Sequence, residues 1–437
     1  MDYLPNVIFA IALLLGIGFF VSNVLKLVRN IKLGKDLDRS DNKPERWKNM
    51  VRIALGQSKM VSRPIAGFLH IVVYIGFVVI NIEVLEIIFD GLFGTHRVFQ
   101  PLLGNSIYGF LIGTFEILAF LVLVAVIIFW LRRNIVQLKR FMSKEMKGWP
   151  KNDGNLILYF EIVLMSLFIL MNATDYSFQQ AGFGNPISQF VAPWFSEYPL
   201  ETLSSIEHTA WWAHIIGILI FLNYLYYSKH LHILLAFPNT FYANLQPKGQ
   251  FNNLSSVTKE VRMMMDPDAD PYAMPEEGAE EEIPEKFGAS DVTDLNWVQL
   301  LNAYTCTECG RCTSSCPANM TGKELSPRAI MMKTRDRLEE VGRNIDSNKG
   351  TFKDDGKQLL NDYITPEELW ACTSCNACVE ECPIDIDPLS IIMDMRRFLV
   401  MEQSAAPQEL NMMMTNIENN GAPWQYNQQD RLNWKDE

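Results

Sequence analysis

Five stretches of this 437-residue chain are apolar over enough length to cross a lipid bilayer. A spanning helix needs about 20 predominantly apolar residues, and the fourth stretch is the shortest of the five. The sequence therefore predicts five spanning helices, at residues 4–27, 64–89, 107–131, 156–171 and 209–235.

The loops between these segments alternate in charge. Residues 26–63 hold eleven Lys or Arg and residues 132–151 hold seven, whereas residues 90–106 hold only Arg97 and residues 172–208 hold none. Basic loops remain on the cytoplasmic side of a membrane. We therefore expect a multi-pass protein of the inner (cytoplasmic) membrane, with its N-terminus outside and everything after the fifth segment in the cytoplasm. Five buried helices of a soluble protein would not explain this asymmetry.

The composition changes after the fifth segment. Residues 265–291 are acidic, contain Pro and offer little to bury, which is typical of a linker or a lightly packed strap. Beyond them, apolar residues recur at helical spacing. Helices are predicted to begin at Ser326-Pro327 and Thr365-Pro366, where a capping hydroxyl precedes a proline. The net charge of -12 argues against nucleic acid as a partner.

All eight cysteines lie in two copies of one motif, CTECGRCTSSCP at 306–317 and CTSCNACVEECP at 372–383. The spacing C-x2-C-x2-C-x3-C-P is typical of two-cluster ferredoxins, in which the fourth cysteine of each run binds the other cluster. Disulfides are disfavoured on the cytoplasmic side, and zinc sites seldom have this spacing. We predict two [4Fe-4S] clusters, one held by Cys306, Cys309, Cys312 and Cys382 and the other by Cys372, Cys375, Cys378 and Cys316.

The predicted fold is thus mainly α, with a five-helix transmembrane bundle followed by a helical di-[4Fe-4S] ferredoxin domain. No G-x-G-x-x-G sequence follows a predicted strand, so nothing indicates a bound flavin or nicotinamide. The predicted divisions are a membrane domain at 1–238, an acidic linker at 239–290, a two-cluster domain at 291–402 and a docking tail at 403–437.

Histidines in the apolar segments indicate a haem. His214 and His232 are eighteen residues apart, so on one continuous helix they share a face and are separated by about 27 Å. His70 lies about two turns into the second segment, at the depth of His232. Histidines within a membrane usually face the bundle and bind something. We predict that His70 and His232 hold one haem b; an interhelical hydrogen bond is the alternative, and His230 could exchange with His232 as ligand or contact a propionate.

Carboxylates on the second and third segments fall at the depth of His214, namely Glu83, Glu86 and Glu116. Carboxylates at that depth are costly unless they face a polar cavity. We predict a quinol site formed by His214 with Glu83 or Glu116, which would release protons outside. Two alternatives stay open: neutral, hydrogen-bonded glutamates, or a second haem that uses His96 or His208.

Two families are similar to parts of the chain. The segments FLHIVVYIGF and WWAHIIGILIFLNYLYYSKHLHILL resemble helices two and five of the nitrate reductase gamma subunit, a five-helix dihaem cytochrome b. Of its four haem-ligand positions, three are occupied here by His70, His214 and His232, and the fourth by Ile80. The resemblance implies one haem and leaves the outer haem open, and it places His230 at a non-ligand position.

From Phe287 onward, FGASDVTDLNW and the cysteine motifs resemble membrane iron-sulfur proteins related to heterodisulfide reductase. In fused relatives, a segment like NIENNGAPWQYNQQDRLNW leads into a cysteine-rich CCG domain, so the resemblance implies a separate CCG-type subunit. It also implies electron transfer between the (mena)quinone pool and a cytoplasmic partner, such as electron-transferring flavoprotein. Alternatives are a quinol-dependent heterodisulfide or sulfur reductase subunit, and a redox-sensing or scaffold membrane protein.

Overall fold

The chain is mainly helical in the part that the computed structural model describes, residues 3–267 and 286–436, and no strand occurs there. The α-helices are α1 (Leu4–Ile31), α2 (Lys43–Met50), α3 (Pro64–Phe93), α4 (Phe99–Asn134), α5 (Trp149–Thr174), α6 (Tyr176–Ala181), α7 (Ser188–Val191), α8 (Leu200–Tyr224), α9 (His232–Phe241), α10 (Ser255–Met265), α11 (Trp297–Thr305), α12 (Arg311–Ser314), α13 (Pro317–Met320), α14 (Pro327–Ser347), α15 (Leu359–Asp362), α16 (Pro366–Trp370), α17 (Ala377–Glu381), α18 (Pro388–Met401) and α19 (Gln408–Asn420).

Five of these helices are long and apolar enough to cross a membrane: α1, α3, α4, α5 and α8. Each packs against the next one in the chain, and α8 returns to pack against α1, so the five form a closed bundle. The predicted five-helix arrangement is confirmed. The fourth spanning helix is longer than the sequence indicated, because its polar first turns, from Trp149, continue the helix below the apolar run.

The fifth spanning segment does not continue unbroken to residue 235 as predicted. Helix α8 ends at Tyr224, and the backbone at Ser228 is extended (φ -116°, ψ 146°) before α9 begins at His232. The carboxylate of Asp153 causes this break, since it accepts hydrogen bonds from the Ser228 hydroxyl at 2.6 Å and the Lys229 backbone N–H at 3.2 Å. His214 and His232 therefore lie on two different helices, and the prediction of one shared face was wrong.

The C-terminal helical domain packs on one end of the bundle, against the basic loops. The Asn30 amide at the end of α1 donates to the Tyr304 hydroxyl at 3.0 Å. From the loop after α4, Glu145 forms an ion pair with Arg328 at 2.7 Å. The loop before α3 contributes the ion pair of Lys59 with Asp385, also a short one at 2.6 Å. Three separate parts of this end of the bundle thus hold the domain.

The predicted boundary at residue 238 falls inside α9, and residues 239–243 are not a linker. Asn239 is fully buried, donating to the Ile384 carbonyl at 2.7 Å and accepting from Asn302 at 2.9 Å. Residues 243–255 line an open polar groove against residues 35–59. Most of the acidic stretch predicted as a strap, residues 268–285, lies outside the described residues.

Candidate cofactor sites

The two cysteine motifs fold alike. In each copy the residues two and four positions after the first cysteine have positive φ: Glu308 (55°) and Gly310 (71°) in the first, Ser374 (55°) and Asn376 (60°) in the second. These left-handed residues turn each loop tightly. A short helix, α12 or α17, then carries the fourth cysteine away from the loop.

The fourth cysteine of the second motif reaches the first loop. One cavity is lined by five cysteines: Cys306, Cys309, Cys312, Cys378 and Cys382. We name it the membrane-side cavity, because two other lining residues, Arg311 and Arg328, donate hydrogen bonds to carbonyls of the loops before α3 and after α4. The Cys382 sulfur accepts a hydrogen bond from the Ile386 backbone N–H at 3.3 Å. The predicted exchange of the fourth cysteine between motifs would need this proximity of Cys382 to the first loop, and the assignment of cluster ligands stays a prediction.

The four cysteines predicted to hold the second cluster lie close to one another, and we name them the outer group: Cys316, Cys372, Cys375 and Cys378. Burial and the neighbouring thiols of Cys316 and Cys375 raise the pKa of Cys372, whose sulfur accepts from the Ser374 N–H at 3.4 Å. Cys375 is the exposed member of the eight. The outer group is therefore where the domain meets solvent.

The cysteines fit iron-sulfur clusters better than other ligands. All eight are free thiols. No group of three or more His, Cys, Asp or Glu in the described residues is close enough to hold a single metal ion, which a cubane with four separate iron corners does not require. Burial raises the pKa of Cys306 to about 11 and that of Cys378 to about 12. Thiolates at these positions would therefore need iron to balance their charge.

Three histidines meet at the end of the bundle that faces the domain. The ring centroids of His70 and His232 are 6.5 Å apart, and the ring of His230 is 5.5 Å from that of His232. Two imidazoles on opposite sides of one metal, with metal–nitrogen bonds of about 2.0 Å, have centroids about 6 Å apart. The spacing of His70 and His232 thus fits the predicted pair of axial ligands.

Hydrogen bonding also leaves these two rings ready to bind a metal. The Nδ1 atom of His232 lies 3.1 Å from the Lys229 carbonyl, which would fix that ring as the tautomer with a free Nε2. The Nδ1 atom of His70 is buried without a partner among the described residues. His230 instead packs on Phe221, with centroids 5.4 Å apart. The chain therefore offers two neighbouring rings, 6.5 Å apart, at a spacing that suits haem b, with His230 beside them.

Ion pairs connect this histidine group to the first cysteine loop, which lines the membrane-side cavity. Lys229, three residues before His232, forms an ion pair with Glu308, which lies between two cysteines of the first motif. Arg335 reaches the other oxygen of Glu308 at 2.9 Å. The side chains of Lys229 and Glu308 are almost fully buried, 9% and 2% exposed. We call these ion pairs the junction; they join the segment just before α9 to the first cysteine loop.

Sequence reasoning missed the residues of this junction. Asp153, Lys229 and Glu308 lie far apart in the chain, and no local pattern predicts that they meet. Sequence reasoning also missed Arg311, although its position between Cys309 and Cys312 could have indicated a role beside the cluster. Its guanidinium is buried and lines the membrane-side cavity.

The predicted quinol-site residues are not brought together by hydrogen bonds. Both carboxylate oxygens of Glu116 are occupied, one by the Asn172 amide at 3.0 Å and the other by two backbone N–H groups at the beginning of α7, at 2.9 and 3.0 Å. His214 is buried, with its ring 6.2 Å from that of Phe168. Its Nδ1 has no partner, and no hydrogen bond or ion pair in the described ranges joins His214 to the glutamates.

The three glutamates differ in their surroundings. Glu86 accepts from the Phe99 N–H at 2.9 Å and the Tyr108 hydroxyl at 3.0 Å. Glu83 is buried, and its Oε2 has no partner in the described part of the chain. Glu86 and Glu116 thus fit the alternative of carboxyls hydrogen-bonded between helices. Of the three, Glu83 is the one with a carboxyl oxygen that is not already engaged and could exchange a proton.

His96 and His208, the alternative ligands of a second haem, both lie at the surface. His96 is 57% exposed and sits 3.4 Å from Asp175, and His208 is exposed on α8. Neither ring faces the interior of the bundle, and Ile80 at the fourth ligand position is buried.

Comparisons with known proteins agree with the cysteine geometry. Residues 305–386 match the 4Fe-4S dicluster domain family. The chain is 28% identical, over 98% of its length and 60% of the relative, to the "Probable iron-sulfur-binding oxidoreductase FadF" of Bacillus subtilis. It is 25% identical, over 98% of its length and 59% of the relative, to the "EtfAB:quinone oxidoreductase" of Syntrophomonas wolfei.

A shorter similarity joins the cluster domain to methanogen proteins. One subunit of the ferredoxin/F(420)H(2)-dependent CoB-CoM heterodisulfide reductase of Methanosarcina acetivorans is 31% identical over 25% of this chain and 53% of its own length. No solved structure matches the chain. The chain spans about three fifths of the length of the two long relatives. It carries a 4Fe-4S dicluster domain behind five helices that could cross a membrane, and it is related to iron-sulfur oxidoreductases and to this heterodisulfide reductase subunit.

Proposed function

We propose that this protein is the membrane electron-transfer subunit of a quinone-linked oxidoreductase. It would pass electrons between the (mena)quinone pool and a cytoplasmic redox partner. The observation that carries the proposal is the opposed pair His70 and His232, 6.5 Å apart, joined through Lys229 and Glu308 to the membrane-side cavity. The relatives named as oxidoreductases support it.

The proposed cluster ligands follow the two cysteine groups. Cys306, Cys309, Cys312 and Cys382 would hold the membrane-side [4Fe-4S] cluster, and Cys316, Cys372, Cys375 and Cys378 would hold the outer one. When bound, such clusters and a haem b supply one-electron carriers. The protein would position these carriers one after another, with Cys375 at the solvent end and the histidine pair at the membrane end.

The quinone site is proposed at His214 and Glu83, each of which has one buried atom, Nδ1 or Oε2, without a hydrogen-bond partner in the described part of the chain. A quinone gains two protons when it takes two electrons, so its site needs groups that can give or take protons. A buried ionisable side chain within a membrane, left without a partner, suits that role. Glu116, a candidate on sequence grounds, is better assigned to holding α7 in place.

The proposed orientation places the basic loops and the cluster domain in the cytoplasm, with residue 3 outside. The positive-inside rule supports it, since the domain packs on the loops that carry the Lys and Arg excess. Partners would then be cytoplasmic. The name of the Syntrophomonas wolfei relative favours electron-transferring flavoprotein. A cysteine-rich CCG-type protein is the other partner we propose, on the resemblance of the cysteine motifs to membrane iron-sulfur proteins related to heterodisulfide reductase.

The test is to purify the full chain in detergent and record its optical and EPR spectra. Eight iron atoms in clusters and one low-spin haem per chain are expected from two cubanes and one histidine pair. Adding a reduced quinol analogue should reduce the haem, and subsequent reduction of the clusters would distinguish conduction from redox sensing. A preparation with full iron content but no haem would contradict the quinone-linked role.

A second candidate is a subunit of a quinol-dependent heterodisulfide or sulfur reductase. The similarity of the cluster domain to the Methanosarcina acetivorans heterodisulfide reductase favours it. The same purified protein would then reduce a disulfide substrate only with its catalytic partner present, and a flavoprotein donor would not reduce the clusters.

A further inference from the structure

Two arginines beside the first cysteine loop form no ion pair in the described parts of the chain, and the Glu381 carboxylate that acts on one of them, Arg311, is already paired with Arg63. Arg311 is 4% exposed, and its guanidinium donates to neutral oxygens: the Lys59 carbonyl at 2.9 Å, the Met60 carbonyl at 3.3 Å and a serine hydroxyl at 3.3 Å. Arg140 has a buried, unpartnered Nε, and its guanidinium stacks 4.9 Å over Phe141. Within those ranges, neither forms an ion pair with a carboxylate.

Both arginines lie beside the first cysteine loop. Arg311 follows Cys309 by two residues and lines the cavity, and the Arg140 carbonyl would lie 3.4 Å from a Cβ atom at Gly310. A buried cation without a counter-charge is costly. Four thiolates in the adjacent cavity are the anions that the geometry offers.

The other charges around this cavity largely cancel one another. Arg328 forms an ion pair with Glu145 at 2.7 Å, and Arg63 lies 3.3 Å from Glu381. Lys229 and Arg335 share the single carboxylate of Glu308; Asp336, 3.4 Å from Arg335, offsets the second cation. Arg311 and Arg140 therefore contribute positive charge that these ion pairs do not cancel.

The charges beside the outer group are balanced. Arg396 lies beside Cys372 and donates to the carbonyls of Leu369 at 2.6 Å and of Cys372 at 2.5 Å. Asp387, on the other side, acts on Cys378 with the opposite sign. One cation and one anion thus flank the outer cysteines.

We propose that Arg311 and Arg140 make the membrane-side centre the stronger electron acceptor of the two, so that electrons run inward from the exposed Cys375 side. This inference rests on the proposed function. One electron leaves the reduced outer centre and enters the membrane-side centre, with no bond or proton changed. The reductant is the cytoplasmic flavoprotein partner, and the oxidant is a quinone.

The physical reason is that an added electron increases the negative charge on the centre that receives it. Cations held in a buried cavity are screened little by salt and favour that charge. Hydration of the exposed outer group acts in the opposite direction, since solvent also stabilises added negative charge. The two uncompensated arginines outweigh it because their charges have no carboxylate partner among the described residues.

The experiment is an EPR-monitored redox titration of the full-length protein in detergent, comparing Arg311→Gln, Arg140→Gln and Arg311→Lys. The signals are assigned with Cys375→Ser, which alters the outer centre. Each Gln variant should lower the reduced-to-oxidised ratio of the membrane-side centre about tenfold at a fixed potential, or about 59 mV for one electron. Arg311→Lys should retain the native ratio. Arg343→Gln, at a position 68% exposed on α14, is the matched control and should change nothing.

Two results would overturn the inference: a native outer centre that is reduced before the membrane-side one, or Gln variants that titrate like the native protein. Arg140→Gln guards against misfolding, because its guanidinium makes no hydrogen bond to another described element. Iron-free protein would instead contradict the proposed function. Intact clusters with no arginine effect would contradict only this inference.

Discussion

At the scale of residues, the three histidine rings near the cluster domain differ in what they contact. His232 has its Nδ1 at the Lys229 carbonyl and its ring opposite His70, whereas His230 packs against Phe221. The sequence alone indicated His70 and His232 by depth and resemblance. It could not say how His230 would turn, because the direction of that ring depends on the break at Ser228.

The first prediction concerns the haem ligands. His70→Ala should abolish the low-spin b-type optical spectrum, because the opposed ring is lost, and His230→Ala should keep most of it. Haem content per chain, measured on purified protein with unchanged iron-sulfur content, is the readout. Equal haem loss in both variants would show that the ligand assignment is wrong.

The second prediction concerns the proton-carrying groups. His214→Ala and Glu83→Gln should each lower the rate of quinone reduction, and of the reverse quinol oxidation, about a hundredfold, a typical loss when a general acid or base is removed, and both should leave haem content intact. Glu116→Gln is the comparison, since its oxygens are already occupied and a lost hydrogen bond should affect stability more than turnover. Haem loss in His214→Ala would identify His214 as a ligand instead.

At the scale of helices, the sequence predicted correctly the features that depend on residues close together in the chain. The five spanning helices follow from their apolar runs, and the capping residues Ser326 and Thr365 accept hydrogen bonds from the N–H groups of Ala329 and Glu368 as their sequences indicate. The break at Ser228 could not be predicted, because no Gly or Pro marks it and its cause, Asp153, lies 75 residues away.

The third prediction tests how closely the bundle and the domain approach. A Cβ atom at Gly342 of α14 would lie 2.4 Å from the Asn30 amide of α1. Gly342→Ala should therefore destabilise the docked domain by about 1–3 kcal/mol, seen as a lower melting temperature in detergent and faster proteolysis between the two parts. Gly18→Ala, where a Cβ would meet nothing within 4 Å, should leave both unchanged. Equal effects would remove close packing as the cause.

At the scale of the whole molecule, several large exposed aromatic residues outside the bundle collect in the last 35 residues. Trp424 and Trp434 are 61% and 71% exposed, and Tyr426 is 44% exposed. Aromatic side chains of this kind are common anchors of protein interfaces. The sequence indicated this tail as a docking segment, and its helix α19 has no buried residue.

The fourth prediction follows from those aromatics. Deleting residues 404–437 should release a co-purifying cysteine-rich or flavoprotein partner without bleaching either cluster, because no cluster cysteine lies in the tail. Co-purification followed by optical and EPR spectra is the measurement. Replacing Trp424 and Trp434 by Ala should do the same with the tail in place. Retention of the partner in both variants would exclude the tail as its anchor.

The break at Ser228 has a consequence for biogenesis. Because His232 sits on α9, which is fastened to the cysteine loop through Lys229 and Glu308 and to the domain through Asn239, only His70 belongs to the bundle itself. On the proposed function, the two halves of the haem site would then meet only after the cluster domain has folded around its iron-sulfur clusters. Haem would then be inserted only after the clusters. A cell that is deficient in iron-sulfur cluster assembly would therefore accumulate this protein in its membrane without clusters and without haem.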